Sequence, residues 1–386
     1  MSPSPHFGRR IIDHWLLDPD IAFLNHGSFG ATPRPVLDRQ RLLIEEMERN
    51  PVRFMDVVLP AGLRDSAAKV SDWLGIDPAG TAFVANATDG INAVLRSLEL
   101  EAGDRVVTTS WVYGAIEQTL RFVCERAGAQ LEIVPLPFPC SSADELAQTV
   151  CDRLEGARFL VLDAIASKPA VRLPVERILA EARRCGVQTL VDGAHVPGQA
   201  PLCFREDAQP DFWVGNLHKW CFAPKGCAVL WVAEPHRERV HPTIISHGYR
   251  SGFAHEFDWV GTRDPSAWLA APTALAFYDR WGREAVWDYQ STLRREASAY
   301  LRELWGVPKT APDELLCAME SFEVPFSCEG TDEAASAVNA RLRNEYGVEV
   351  PVFALAGASW IRISAQIYVD MQDIQRLGEA VCSMIE

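Results

Sequence analysis

Between residues 81 and 232, short apolar runs alternate with longer stretches of helical periodicity, and this alternation constrains the fold more than any other feature of the chain. Strand-like runs stand at 81–85, 104–109, 131–136, 159–165, 189–192, 212–215 and 227–232, and helical patterns fill 88–98, 114–126, 143–154 and 175–185. A strand that returns to the same sheet through a helix does so by a right-handed crossover, which lays helices on both faces of a mostly parallel sheet. The expected class is therefore α/β. After Gly261-Thr262-Arg263-Asp264-Pro265 the texture changes. Helical patterns run over 266–280 and 285–305, an apolar run over 316–324, a helix over 332–346, strand-like runs over 348–354 and 359–367, and a last helix from Met371. The expectation is a large domain over 21–261, a smaller α+β domain over 262–386, and an N-terminal arm (1–20) packing on the smaller one, with a helix at 35–49 joining the two domains.

A chain of 386 residues that is 48% hydrophobic can bury the cores this division needs. Its formal net charge of −15 opposes non-specific attraction to nucleic acid or to an anionic membrane. Ten cysteines are scattered with no CxxC pair and no zinc-ligand spacing, so no metal site is expected. The first ten residues lack the apolar core of a secretory signal, and no apolar run is long enough to span a bilayer. A cytoplasmic chain with free thiols is the expectation. Neither GxGxxG nor a GxxxxGK followed by Ser or Thr occurs, which leaves a nucleotide-linked oxidoreductase without its phosphate loop.

Ligands of parallel sheets gather at the carboxyl ends of the strands, and Asn86, Trp111, Tyr113, Asp192, His195 and Lys219 fall there. Lys219 is flanked by Leu217, Trp220 and Phe222, which would desolvate its ammonium and lower its pKa. Most lysines are solvated surface charges, and Lys225, beside Pro224 and Gly226, reads as one of these in a turn. A desolvated amine can form a Schiff base with an aldehyde. Asp192 ends an apolar run 27 residues before that lysine; a carboxylate there caps a loop or partners a pyridine nitrogen. The two demands together describe pyridoxal 5′-phosphate, an electron sink for carbanions. His195 stands three residues past Asp192, near enough to touch the same ligand.

Asn86-Ala87-Thr88 lies between a strand and a helix, where backbone N–H groups and the Thr88 hydroxyl make either an ordinary cap or a phosphate site. Trp111 and Tyr113 offer faces that stack on a flat ring or fill a core. Arg362 is a charge inside the strand pattern Trp360-Ile361-Arg362-Ile363-Ser364, either an edge residue or a bidentate grip on a carboxylate. Asn25 and His26 sit in a glycine-punctuated turn and can face a substrate.

The order of these features carries a resemblance. Asn-His-Gly, Asn-Ala-Thr, an aromatic after the next strand, Asp-Gly-Ala-His, Asn-Leu-His-Lys-Trp, Gly-Thr-Arg-Asp and Ile-Arg-Ile-Ser follow one another along the chain. This series resembles the fold-type I pyridoxal-phosphate enzymes of the class V aminotransferase branch. Within that branch it is most similar to the isopenicillin N epimerase-like group, whose hallmark Leu24-Asn25-His26-Gly27-Ser28-Phe29-Gly30 is present. The resemblance implies that 21–261 binds the cofactor, that Lys219 carries the Schiff base, that Asp192 partners the pyridine nitrogen, and that His195 takes the place of a group near the ring hydroxyl. It implies a phosphate held by Ala87 and Thr88 with His218 or Asn216. Thr262 would reach the phosphate of the neighbouring subunit in a homodimer with shared active sites. Arg362 would bind the substrate α-carboxylate, with Asn25 and His26 also facing the substrate, and Trp111 or Tyr113 would stack on the ring. Arg53, Tyr249 and Arg263 are further candidates to face the site. Residues 352–369 contain no cysteine, which disfavours a desulfurase that forms a persulfide on the protein.

The implied substrate is a small molecule, an amino acid or an amino-acid derivative, whose Cα proton is taken by the freed Lys219 amine. Three outcomes share that first half. Reprotonation on the opposite face, with Tyr113 as the second acid, is epimerisation. Loss of a β-leaving group is C–S lyase chemistry, and protonation at the cofactor carbon is transamination. Epimerisation is the expectation by nearest resemblance, with the other two as alternatives. A non-catalytic regulator of this fold is opposed by the acidic balance and by the lack of a helix-turn-helix module.

Overall fold

The computed structural model describes residues 7–385. β1 (Ala22–Phe23) precedes the helix Arg34–Arg49. β2 (Thr81–Val84) leads into the helix Ala87–Ser97, β3 (Arg105–Thr109) into Gly114–Ala127, β4 (Gln130–Val134) into Ala143–Cys151, and β5 (Phe159–Asp163) into Val175–Arg184. β6 (Gln188–Asp192), β7 (Phe212–Asn216) and β8 (Ala228–Val232) follow. The sheet has seven strands in the order β2-β8-β7-β6-β5-β3-β4. β8 runs antiparallel to β2 and β7, and the other pairings are parallel. The chain is thus α/β, as the alternation predicts.

β5 shows why the sheet forms here. All five of its residues are buried. Side chains alternate between the two faces of a strand, and those of β5 join two different cores. Phe159 and Val161 pack with Ile91, Val94, Ile116 and Leu120 from the first two crossover helices. Leu160 and Leu162 pack with Leu146, Val150, Ile178 and Ala182 from the next two. A strand apolar on both faces needs cover on both. Each large side chain so buried contributes roughly 1.5–3 kcal/mol, enough for the apolar runs to decide the sheet.

The remainder of the chain supplies β9 (Met319–Glu323), β10 (Val348–Glu349), β11 (Val352–Leu355) and β12 (Ala358–Ser364), with the helices Arg283–Trp305, Asp332–Tyr346 and Met371–Cys382. β11, β12 and β9 form an antiparallel sheet with β12 in the middle, and β1 pairs with β10. The Gly8 N–H donates to the Ile367 carbonyl at 2.8 Å and the Arg9 N–H to Asp370 at 3.1 Å. The described part of the arm therefore lies against the segment before the last helix. Residues 1–6 of the expected arm lie outside the described residues.

Three local differences from the expectation have proline at their centre. The helix expected over 266–280 is divided into Ser266–Leu269 and Ala271–Asp279, because Pro272 has no N–H to continue the ladder. Pro351 separates β10 from β11 where one strand was expected. The helix Leu59–Leu74 has no counterpart in the sequence reading. Pro60 and Gly62 look like breakers there, yet a π-helical turn over Phe54–Val58 runs directly into this helix, and Pro60, which has no N–H to give, sits at that junction.

Candidate active site

Six of the seven strands point their carboxyl ends the same way, so Asn86, Tyr113, Asp163, Asp192 and Asn216 emerge on one side of the sheet. They border a cavity of about 450 Å³, whose lining also includes Ser28, Phe29, Thr88, Ser167, Ala194, His195, His218 and Lys219. A second recess of about 250 Å³ is walled mainly by apolar groups such as Leu173, Leu179, Val196 and Phe204. It gathers no comparable set of titratable side chains.

Lys219 is presented by a tightly held loop. The N–H groups of Leu217 and His218 both donate to the Cys227 carbonyl at 3.1 Å, and Phe222 adopts φ +65° to turn the chain back. The Lys219 amine stands 3.2 Å from His195 Nε2. Burial lowers Lys219 to about 8, against the attraction of Asp192. His195 is 2% exposed, and burial with nearby Lys219 holds it well below its usual range, so its ring is neutral. The Trp220 indole can only donate, and it points at His195 Nδ1 at 3.4 Å. The ring proton is then on Nε2, facing the Lys219 amine, which accepts it in its uncharged form.

Asp192 is 4% exposed, and its Oδ1 accepts the Ala194 N–H at 2.9 Å. Burial raises it, while the Ala194 amide and Lys219 pull it down. Asp163 is its register neighbour on β5, and 3% exposed. The sequence reading missed this residue.

At the other end of the cavity the helix Ala87–Ser97 starts. Asn86 caps it by accepting the Asp89 N–H at 2.9 Å. Asn216 Oδ1 accepts the Ala87 N–H at 2.9 Å, so that amide, expected to hold a phosphate, is already engaged. The Thr88 amide and hydroxyl and the Asn216 NH₂ remain as donors around the positive end of the helix. His218 donates from Nδ1 to the Cys227 carbonyl at 2.9 Å, leaving Nε2 toward the cavity, and burial lowers it to about 4.

Arg362, in the central strand β12, is 3% exposed. It donates to the Ser167 carbonyl at 2.7 Å, to Ser167 Oγ at 3.1 Å and to Ser28 Oγ at 3.2 Å, and its Nε is buried with no partner. Burial lowers it to about 10. Arg362 itself does not line the cavity, but Ser28 and Ser167, which accept from it, do, so its guanidinium stands just behind the wall with only neutral partners. Of the two serines that orient it, Ser28 stood in the hallmark turn without a role of its own, and Ser167 gave no signal in the sequence.

Several expected site residues lie elsewhere. Trp111 is 3% exposed and packs in the core with Leu136 and Cys140, so of the two aromatics after β3 it is Tyr113, 48% exposed, that borders the cavity. His26 does not border the cavity. It is fully buried between the Tyr368 hydroxyl at 2.6 Å and the Lys219 carbonyl at 2.9 Å, and burial lowers it to about 3. It clamps the lysine backbone instead of facing a substrate. Asn25 binds the Ser28 hydroxyl and so acts through it. Thr262 and Arg53 are exposed away from the cavity, as is Tyr249. The Arg263 guanidinium lies over the Trp268 ring at 3.9 Å.

These residues fit pyridoxal phosphate. The helix N-terminus with uncommitted donors suits a phosphate, Asp192 suits a pyridinium, and Lys219, lowered to about 8, suits an aldehyde.

Comparison with known proteins agrees. Residues 24–377 match the family described as aminotransferase class-V. The chain is 32% identical to a putative L-cysteine desulfhydrase 1 of Oryza sativa subsp. japonica, over 95% of this chain and 83% of that protein. It is 31% identical to an isopenicillin N epimerase of Amycolatopsis lactamdurans, over 95% of each. Its fold is similar to that of a cysteine desulfurase from Thermococcus onnurineus NA1, with a TM-score of 0.82 at 17% identity over 99% of both chains. The chain belongs to the class V aminotransferase family and is a pyridoxal-phosphate-dependent enzyme of fold type I.

Proposed function

We propose that the enzyme cleaves a C–S bond by β-elimination from a cysteine-type amino acid. With L-cysteine and water the products are pyruvate, ammonia and hydrogen sulfide. Bound pyridoxal phosphate supplies the electron sink that makes the Cα proton removable. Lys219 is the base, since an amine lowered to about 8 works near neutral pH. Arg362 takes the substrate carboxylate, and Ser28 and Ser167 fix the plane of its guanidinium. Tyr113, at the exposed side of the cavity, is placed to give a proton to the departing sulfur.

The observation that carries this choice is how proton-moving groups are distributed. Lys219, His195, His218, Asp163 and Asp192 belong to the ends of β5, β6 and β7 and the loops that follow them. Tyr113 comes instead from the loop after β3, where its backbone reaches Asp163, and its side chain is half in solvent at 48% exposure. Elimination needs one base at Cα. Epimerisation needs a second acid whose proton is held against Cα, and a half-solvated phenol holds it poorly. The desulfhydrase relatives support the same choice. No cysteine lines the cavity among the described residues, which favours release of sulfur as sulfide over transfer to the protein. The sequence alone put epimerisation first, and it remains the second reading through Tyr113 and the epimerase relatives. We also infer a homodimer, in which the exposed Thr262 completes the phosphate site of the second copy.

The test is incubation with L-cysteine and a panel of amino acids in deuterated water. The expected result is sulfide, pyruvate and ammonia in equal amounts. An α-deuterated D-isomer without sulfide would overturn the reading in favour of epimerisation. Tyr113→Phe should keep elimination within about tenfold of wild type, because a solvated thiolate can leave without it.

A further inference from the structure

We propose that Asp163 is a cofactor-positioning residue that works as a neutral acid, donating its carboxyl proton into the cavity while Asp192 carries the one negative charge of the pair.

Geometry sets the problem. Asp163 and Asp192 end adjacent parallel strands in direct register and both border the cavity. Neighbouring strands lie about 4.8 Å apart, so two charges would face each other with almost no water between them. One of the pair must hold a proton unless cations compensate. The cations nearby are few. The Arg362 guanidinium is committed to Ser167 and Ser28, and no carboxylate oxygen accepts from it. His195 and His218 are both neutral, which leaves Lys219 as the cation facing the pair. The Tyr113 backbone N–H, from the loop after β3, reaches Asp163 and pulls it down, but brings no full positive charge to the pair.

Donors then decide which acid keeps the proton. Asp192 accepts the Ala194 N–H, a bond that favours its charged form. Asp163 Oδ2 is buried with no partner. A charged oxygen in that position would lack any hydrogen bond, whereas a protonated one becomes a donor looking for an acceptor. Burial and the neighbouring Asp192 push Asp163 well above the usual carboxylate range. The cofactor's acceptor for such a donor is its phenolate oxygen, which Asp163 would share with His195, since Asp192 is the partner of its nitrogen. The roles hold whichever bond the enzyme breaks, because they concern the cofactor and not the substrate.

The experiment uses the holoenzyme. Infrared spectra at neutral pH should show the carbonyl stretch of a buried protonated carboxyl, lost in Asp163→Asn. The visible absorbance of wild type should shift at alkaline pH as Asp163 ionises, and Asp163→Asn should lack that shift. Asp163→Asn, which still donates, should bind pyridoxal phosphate within about threefold of wild type, and Asp163→Ala at least tenfold more weakly, roughly the effect of one lost hydrogen bond. A wild-type spectrum without the protonated-carboxyl band overturns the proposal. So does a band that survives in Asp163→Asn, or an Asn variant as weak as the Ala variant. If the variants fail to fold, the wild-type infrared band and its pH titration decide alone.

Discussion

Asp211, just before β7, and Asp163, at the end of β5, lie at opposite ends of one sheet and are handled in opposite ways. Asp211 is fully partnered. Its Oδ1 meets His236 Nε2 at 2.7 Å, and its Oδ2 accepts the Thr189 N–H at 2.7 Å and the Thr189 hydroxyl at 3.0 Å. Burial alone would raise it, but the hydrogen bonds from His236 and Thr189 win and hold it below the usual carboxylate range. Asp163 has a buried oxygen with nothing to bind, and is held well above that range. Arg362 Nε is unpaired in the same way. Native proteins pair nearly all their buried polar atoms. Other buried polar atoms without partners occur across the described residues, Trp213 and Trp231 Nε1 among them, but Asp163 Oδ2 is the one on a residue that lines the cavity, where a ligand can supply the missing partner. One end serves folding and the other serves chemistry, and each variant below tests that division.

The largest effect is expected at Lys219. Lys219→Ala should lower turnover by more than about 10³-fold and abolish the visible absorbance of bound cofactor. Its denaturation midpoint in urea should be equal to wild type or higher, because a desolvated amine has been removed. Lost activity together with lost stability would break the comparison, since the lysine would then belong to the fold.

The same lysine predicts a pH dependence. Its folded pKa is lowered to about 8 by burial, so the free amine is half present there. Below that value the free fraction falls about tenfold for each pH unit. The rate at which apoprotein captures added pyridoxal phosphate, followed by absorbance, should therefore rise about fiftyfold from pH 6 to pH 8 and no more than about twofold further above it. A rate flat across that range would mean that a neighbour, not burial, sets the protonation of the amine.

Asp211 should give the converse result. Asp211→Ala leaves the Thr189 N–H and His236 without their acceptor, and should cost about 1–3 kcal/mol of stability in urea unfolding. Turnover of the folded fraction should stay within about twofold of wild type. A large loss of turnover would show that the two ends are coupled through the strands.

How far these roles could be read from sequence follows from the same geometry. The sheet was legible because buried parallel strands are continuous apolar runs, and Asp192 and Lys219 were legible because each stands where such a run stops. Asp163 was hidden because Ala164 and Ile165 prolong the run beyond it, so the strand expected over 159–165 swallowed its last residue. His26 lies in a turn that looks open to a ligand. Its true partners, Lys219 and Tyr368, are 193 and 342 residues away, and no local pattern reports them. Trp111 and Tyr113 were equal in sequence, and only packing sends one into the core and the other to the cavity. Ser28 and Ser167 matter because Arg362 reaches them from β12, a contact with no trace in residue type.

The smallest effect is expected at Lys225, six residues after Lys219 and the competing lysine of the sequence. Its amine reaches Thr32 Oγ1 at 3.4 Å, and it does not border the cavity although Gly226 beside it does. Its positive charge adds to the lowering of His218, whose value near 4 comes first from burial. Lys225→Ala should therefore raise the His218 pKa slightly and leave that ring neutral at pH 7. Turnover should change by less than about threefold, the scale of a screened charge acting at a distance, and the cofactor absorbance should not move. Measuring the two lysine variants side by side sharpens the comparison most. A tenfold loss in Lys225→Ala would extend the functional end of the sheet around the turn after β7. An unchanged enzyme would confine it to the residues that face the cavity.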